Sequence, residues 1–122
     1  RRIPKTAAQM PAELGDGLKK RVARALTLDP RYVIFDEPTT GLDPLAAAQV
    51  DDLIRKLKAQ AGVTCIVVSH DLRSIFSVAD RVAMLYQGRV RIDATPNEIR
   101  ASGDAVVQQF FSGAPDGPME TT

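Results

Sequence analysis

Cysteine is almost absent from this chain: one residue of 122, Cys65. That excludes an intrachain disulfide and a cysteine-rich metal site, and fits a reducing compartment. Long apolar runs are missing too, with nothing near the ~20 residues that span a bilayer. Net charge is nearly nil: 16 Lys and Arg against 15 Asp and Glu, a formal +1. Neither nucleic acid nor an anionic membrane surface is indicated by such a balance. There is no internal repeat and no low-complexity tract. Arg1-Arg2-Ile3-Pro4-Lys5 leads into no apolar core, so a signal peptide is not expected there. The chain opens on Arg rather than Met, which makes a fragment the expectation. What remains is ordinary globular composition, 44% hydrophobic and 25% charged. It argues against wholesale disorder, and the length suggests one domain at most.

Hydrophobic spacing outlines alternating helices and strands. Leu18, Val22, Ala25 and Leu26 recur at helical spacing among Lys19, Lys20, Arg21 and Arg24, and Asp29-Pro30 stops that helix. The basic residues read as a solvated helix face. Tyr32–Phe35 and Val63–Val68 are short apolar runs of buried-strand type. Between them, Asp43 can cap a helix with Pro44 in its first turn and an apolar face of Ala46, Val50, Leu53, Ile54, Leu57 and Ala61. Gly62 can end it. A further helix covers about 72–78, with Leu72, Ile75, Phe76 and Ala79 expected inside. Val82–Tyr86, Gln87-Gly88 and Arg89–Asp93 read as a hairpin. Thr95-Pro96-Asn97-Glu98 has capping-box spacing, and a last helix is expected over 104–111. Adjacent Phe110 and Phe111 cannot both point in one direction from that helix. The alternation implies an α/β fold with a parallel sheet.

Chemistry concentrates where the strands end. Tyr32-Val33-Ile34-Phe35 runs into Asp36-Glu37. Two carboxylates then sit at the carboxyl edge of a parallel sheet, where α/β folds bind ligands. Strand alternation would send the two side chains in different directions. One carboxylate can face hydrated Mg²⁺ and the next can hold an attacking water. A solvated turn is the bland alternative. Ser69-His70-Asp71 closes the second strand. If the two strands are neighbours, His70 lies beside Asp36 and Glu37, where an imidazole can sense a phosphate. A structural or capping histidine is the alternative there.

In order, these segments resemble the ATP-binding subunit of an ABC transporter. Asp36-Glu37 matches the Walker B aspartate and the catalytic glutamate after it. Thr40-Gly41-Leu42-Asp43 matches the D-loop, and Val67-Val68-Ser69-His70-Asp71 the switch-histidine segment. Ala79–Val90 matches the following hairpin, and Thr95–Ile99 the helix start beyond. Within the family the likeness is to ATPases of Mla-type lipid transporters, which work with MCE-type proteins. It rests on Met10–Leu14, on residues 36–48, and on Gln109–Gly113 with Asp116–Pro118. The resemblance implies that Glu37 positions water, Asp36 holds Mg²⁺ through water, His70 contacts the γ-phosphate, and Asp43 couples two sites. It implies a second ATPase subunit, a membrane permease, an MCE-type partner reached indirectly, and no nucleic acid. The place implied is cytoplasmic, peripheral on the inner face of the cell membrane.

Three departures qualify that implication. No G-x-x-x-x-G-K-[ST] occurs, so nothing in the chain cradles the phosphates. The loop and its strand would precede Arg1. ATP and Mg²⁺ are therefore expected only if that N-terminal half is supplied, and the chain alone is expected to be inactive. Next, the family's Leu-Ser-Gly-Gly signature is replaced by Leu14-Gly15-Asp16-Gly17. Asp16 puts a negative charge where an anion should sit, a repulsion of about 1 kcal/mol per charge at 4 Å even in water. The Gly15–Gly17 stretch itself reads as a loop. Finally, Lys19–Leu26 is two residues short by family pattern, which would rotate the signature by about 200°. The expected fold is an incomplete P-loop NTPase sheet: α/β, helices on both faces, a C-terminal hairpin, and the phosphate-loop strand missing. Residues 1–111 would be a partial ABC ATPase domain and 112–122 a flexible tail. Two other readings stand beside it: a non-catalytic, truncated or degenerate remnant, and a soluble ABC-type ATPase acting on DNA or ribosomes.

Overall fold

The computed structural model describes residues 7–11, 15–60, 62–113 and 117. It divides into two compact units, Arg1–Val78 and Ala79–Thr122. In the first unit the elements are β1 (Ala7–Pro11), α1 (Gly15–Leu26), β2 (Tyr32–Asp36), α2 (Pro44–Lys58), β3 (Thr64–Val68) and α3 (Leu72–Val78). Its three strands form one parallel sheet in the order β1-β2-β3.

β2 is central and in register with β3: Ile34 lies opposite Ile66, and Asp36 opposite Val68. One face of the sheet carries Val33 and Phe35, fully buried, with Cys65 and Val67 beside them. Leu18, Val22 and Ala25 of α1, Val50, Ile54 and Leu57 of α2, and Val78 of α3 close on that face. A fully buried side chain of this size contributes ~1.5–3 kcal/mol, so this cluster holds the unit together. The opposite face carries Tyr32, Ile66 and Val68, which stay exposed.

β1 was not legible in the sequence. Ala-Ala-Gln-Met-Pro has neither alternation nor β-branched residues, and pairing with β2 recruits it. α1 also begins earlier than the periodicity indicates. Gly15, Asp16 and Gly17 lie in its first turn rather than in a loop, where an acidic residue is favoured by the exposed N–H groups. Lys19, Lys20, Arg21 and Arg24 are all exposed, as a solvated face requires. The helix stops before Asp29, whose φ of 51° is left-handed. α2 starts as expected: Asp43 accepts from the Ala46 N–H at 2.8 Å, with Pro44 at the first position. It ends at Lys58, capped by Ala59, rather than at Gly62. Gly62 has φ of 80° and turns the chain toward β3. The side chains α2 buries are Ala47, Val50, Asp51, Ile54 and Leu57. In α3 the buried positions are Ser74 and Val78, while Leu72, Ile75 and Phe76 are only half-buried, as is Ala79 just past the helix.

The second unit contains β4 (Val82–Tyr86), β5 (Arg89–Ala94), α4 (Pro96–Arg100) and α5 (Ala105–Ser112). The hairpin turns through Gln87 and Gly88 at φ of 50° and 76°. Positive φ at both central residues is the turn whose twist suits paired strands. The capping box at Thr95 and Glu98 is complete in both directions. α5 is capped by Asp104 and ends at left-handed Gly113. Arg91 of β5 forks onto Asp104 at 2.8 and 3.2 Å, tying the hairpin to that helix. Phe110 and Phe111 meet edge to face, centroids 5.2 Å apart, and both are half-buried. Most of the expected tail lies outside the described residues, and Ser112 belongs to α5.

Candidate functional site

The parallel pairing of β2 and β3 ends both strands at one edge. From there Glu37, the turn 38–42, Ser69, His70 and Asp71 emerge together. The Glu37 N–H donates to the Val68 carbonyl at 2.7 Å, carrying the ladder one residue past the strand. Glu37 itself has φ of 50°. Its side-chain direction is therefore set by the turn rather than by strand alternation, which ends at Asp36. A glutamate in this conformation is strained by about 1–2 kcal/mol, and such strain is concentrated at functional positions.

The structure brings Glu37 and His70 together. The imidazole Nδ1 lies 3.2 Å from Glu37 Oε1 and 3.1 Å from Oε2. A carboxylate only accepts, so Nδ1 is the donating nitrogen. His70 is 78% exposed in its side chain and Glu37 35%, so the pair opens to solvent. Thr40 Oγ1 donates to Glu37 Oε2 at 2.9 Å. An ionised carboxylate has about four acceptor positions, which leaves room for a water as well. Asp36 is half-buried at the last position of β2.

The remaining expected residues lie in other roles or places. Asp43 is exposed and caps α2. Gly15, Asp16 and Gly17 form the first turn of α1. Among the described residues, no three acidic, histidine or cysteine side chains gather to hold a metal. One or two carboxylates suffice for a Mg²⁺ that keeps its waters and leans on substrate phosphates, so Asp36 and Glu37 fit that use and not a closed cage.

Sequence reasoning missed a second set of polar residues behind the pair. Thr39 Oγ1 donates to Asp71 Oδ2 at 3.1 Å, and the Ser74 N–H donates to Asp71 Oδ1 at 3.3 Å. The Ser74 hydroxyl donates to Asp51 Oδ1, and both residues are almost wholly buried. The signal for Asp51 was its spacing: position 51 falls between buried Ala47 and Ile54 on the inner side of α2.

No family model matches the chain. Individual proteins do. The intermembrane phospholipid transport system ATP-binding protein MlaF of Haemophilus influenzae is 40% identical over 115 residues, 93% of this chain. The Escherichia coli K12 protein of the same name is 38% identical over the same share. Over 93% of its length the chain is similar to ATP-binding proteins of ABC transporters. It spans 44% and 43% of those two relatives' lengths. A chloroplastic protein of Arabidopsis thaliana, trigalactosyldiacylglycerol 3, is 36% identical over 129 residues, covering 91% of this chain and 37% of that one. Among solved ABC structures, cbiO1 from Clostridium perfringens superposes at TM-score 0.66 with 31% identity, over 72% of this chain and 35% of that one. A nucleotide-free ATP-binding cassette gives the same TM-score at 24% identity, over 80% and 39%, and supports the fold alone. The Mla-type likeness read from the sequence accords with the MlaF matches.

Proposed function

We propose that this chain supplies the water-positioning edge of an ABC transporter ATPase of the lipid-transporting, Mla-type class. The observation that carries the reading is the Glu37–His70 pair at the shared carboxyl end of β2 and β3, with Asp36 one residue before it. Bound Mg-ATP would supply a scissile γ-phosphate and a metal that neutralises its charge. Asp36 would hold the hydrated metal and Glu37 would accept from the attacking water. His70 would face the γ-phosphate through Nε2. A neutral ring that gives its Nδ1 proton to Glu37 has only a lone pair at Nε2, so donation to phosphate requires the doubly protonated ring. Asp43 would couple the two sites of a paired assembly. The residues fit the phosphate end of a nucleotide only. The sequence holds no lysine-bearing glycine loop for the rest, and Gly15-Asp16-Gly17 replaces the serine-bearing signature that would serve a partner's nucleotide.

On this reading the working assembly pairs two ATPase subunits beneath a membrane permease, on the cytoplasmic face, with a lipid-binding MCE-type protein beyond. No helix among the described residues is long and apolar enough to cross a membrane. In the proposed assembly the chain would meet the membrane at the permease. A non-catalytic role is the second reading, and the missing loop and altered signature favour it for the chain by itself.

The test joins the N-terminal portion of the Haemophilus influenzae MlaF ahead of Arg1 and follows Mg²⁺-dependent phosphate release. Turnover should appear, rise about tenfold or more with Gly15→Ser plus Asp16→Gly, and fall at least a hundredfold with Glu37→Gln, the scale of losing a base. The unjoined chain should release none. Turnover indifferent to Glu37→Gln would overturn the reading.

A further inference from the structure

Asp51 lies too deep to touch a nucleotide, yet it stands at the end of a chain of hydrogen bonds that leads to the Glu37–His70 pair. We infer that Asp51, Ser74, Asp71 and Thr39 are positioning residues, which lock the turn after Glu37 to the segment carrying His70 and so set the imidazole against the carboxylate. The inference rests on the ATPase reading for its purpose, though not for its geometry.

Asp51 is on α2 and Ser74 on α3; each is at most 2% exposed, and the Ser74 hydroxyl donates to the Asp51 carboxylate. A buried charge is costly unless it is hydrogen-bonded, so this bond fixes α3 against α2. The Ser74 N–H donates to Asp71 Oδ1, which caps the start of α3. The other oxygen of Asp71 accepts from Thr39 Oγ1 at 3.1 Å, a link across 32 residues of sequence. Asp71 is held from its own side as well, its N–H donating to Ser69 Oγ at 3.0 Å. His70 sits between Ser69 and Asp71. Thr39 sits between fully buried Pro38 and Thr40, whose hydroxyl donates to Glu37. Asp71 is thus the clasp. One oxygen holds the helix that follows His70, and the other holds the turn that follows Glu37.

An exposed His–carboxylate pair is worth little by itself. Without the clasp, two solvent-facing side chains on separate segments would meet only part of the time. With it, both backbones are fixed and the imidazole keeps one tautomer, Nδ1 protonated. The bland alternative is that Asp51 and Ser74 merely join two helices, with no effect at the sheet edge.

Those alternatives separate in the 122-residue chain without nucleotide. His70 is its one histidine, so the imidazole resonances have a single source. The long-range proton–nitrogen spectrum at pH 8.5, where an ordinary imidazole is neutral, reports the ratio of the two tautomers. Glu37→Ala, which removes the acceptor altogether, defines the ratio of the unpaired ring. Thr39→Val and Ser74→Ala should each lower the share protonated at Nδ1 by about two- to tenfold, the reach of one hydrogen bond. Asp51→Asn keeps an acceptor oxygen and should restore most of the wild-type ratio. Secondary structure, followed by circular dichroism, should be unchanged in Thr39→Val. A wild-type ratio in folded Thr39→Val overturns the inference, as does a wild-type protein already at the Glu37→Ala ratio. Should Ser74→Ala fail to fold, Thr39→Val decides alone. The outcome is independent of phosphate release, so a failed ATPase reading and a failed clasp are told apart.

Discussion

Glu37 holds a backbone conformation that costs any residue with a Cβ. Its φ of 50° is left-handed, and the ladder bond to Val68 keeps it there. Glycine has no such penalty. In most positions alanine is the more stabilising of the two, but here the order should invert. Glu37→Gly should be more stable than Glu37→Ala by about 1 kcal/mol. Thermal unfolding should show this as a midpoint ~4–8 °C higher for the glycine variant. An alanine variant melting at or above the glycine one would show that the turn relaxes freely. The strain also marks what sequence could not convey at this scale. The identities of Asp36, Glu37 and His70, and their shared edge, follow from strands ending in polar residues. The direction of Glu37 does not, because the turn overrides the strand's alternation. Cys65 illustrates the reverse case. Half-burial pushes its thiol up despite nearby Lys58, which suits a side chain packed against the core rather than a nucleophile.

Elements with explicit punctuation were legible, and those without it were not. α2, the 95–98 capping box and the hairpin announce themselves through Asp43-Pro44, Thr95-Pro96 with Glu98, and Gln87-Gly88. β1 has no comparable signal, since its strand state comes from a neighbour. Asp51 looks polar in a pattern scan, although α2 turns it inward to meet Ser74. The caps make two predictions. Asp43→Ala removes the acceptor for the Ala46 N–H and should cost about 1 kcal/mol, seen as a lower urea midpoint at unchanged slope. An unchanged midpoint would mean that Pro44 alone sets the helix start. The second concerns α5. The Arg91 fork, more than the Val106 and Val107 N–H groups, holds the Asp104 carboxyl below its usual range. A carboxyl lowered in the folded state stabilises above its unfolded pKa, and the gain is lost as pH falls through the folded value. The stability gap between wild type and Arg91→Ala should therefore be present at pH 6. It should close below about pH 4 as carboxylates protonate. Denaturant melts of both proteins across that range check it, and a gap that persists at pH 2 would assign Arg91 to packing instead.

At the scale of the molecule, the described residues of the first unit leave Tyr32, Ile66 and Val68 exposed on one side of its parallel sheet. Parallel strands ordinarily have both faces covered, and the apolar character of β3 suits that state. Yet Ile66 is 46% and Val68 52% exposed, on the face opposite the core cluster. β3 is also an edge in the described sheet, and an apolar edge strand invites pairing with another chain. The resemblance implies helices on both faces, and the matched relatives are more than twice this chain's length. This apolar surface should favour self-association, which a near-zero net charge does not oppose. Ile66→Lys with Val68→Lys should cut concentration-dependent light scattering severalfold by placing charge on the edge. Because both side chains are already near half exposure, the thermal midpoint should move little, within the ~0.5 kcal/mol usual for surface changes. Cys65→Lys, on the opposite face of the same strand and packed against the core, is the contrasting variant. It should unfold the unit by burying an unpaired charge. Equal damage from both replacements would mean that the face bearing Ile66 and Val68 is covered in solution, and that self-association arises elsewhere.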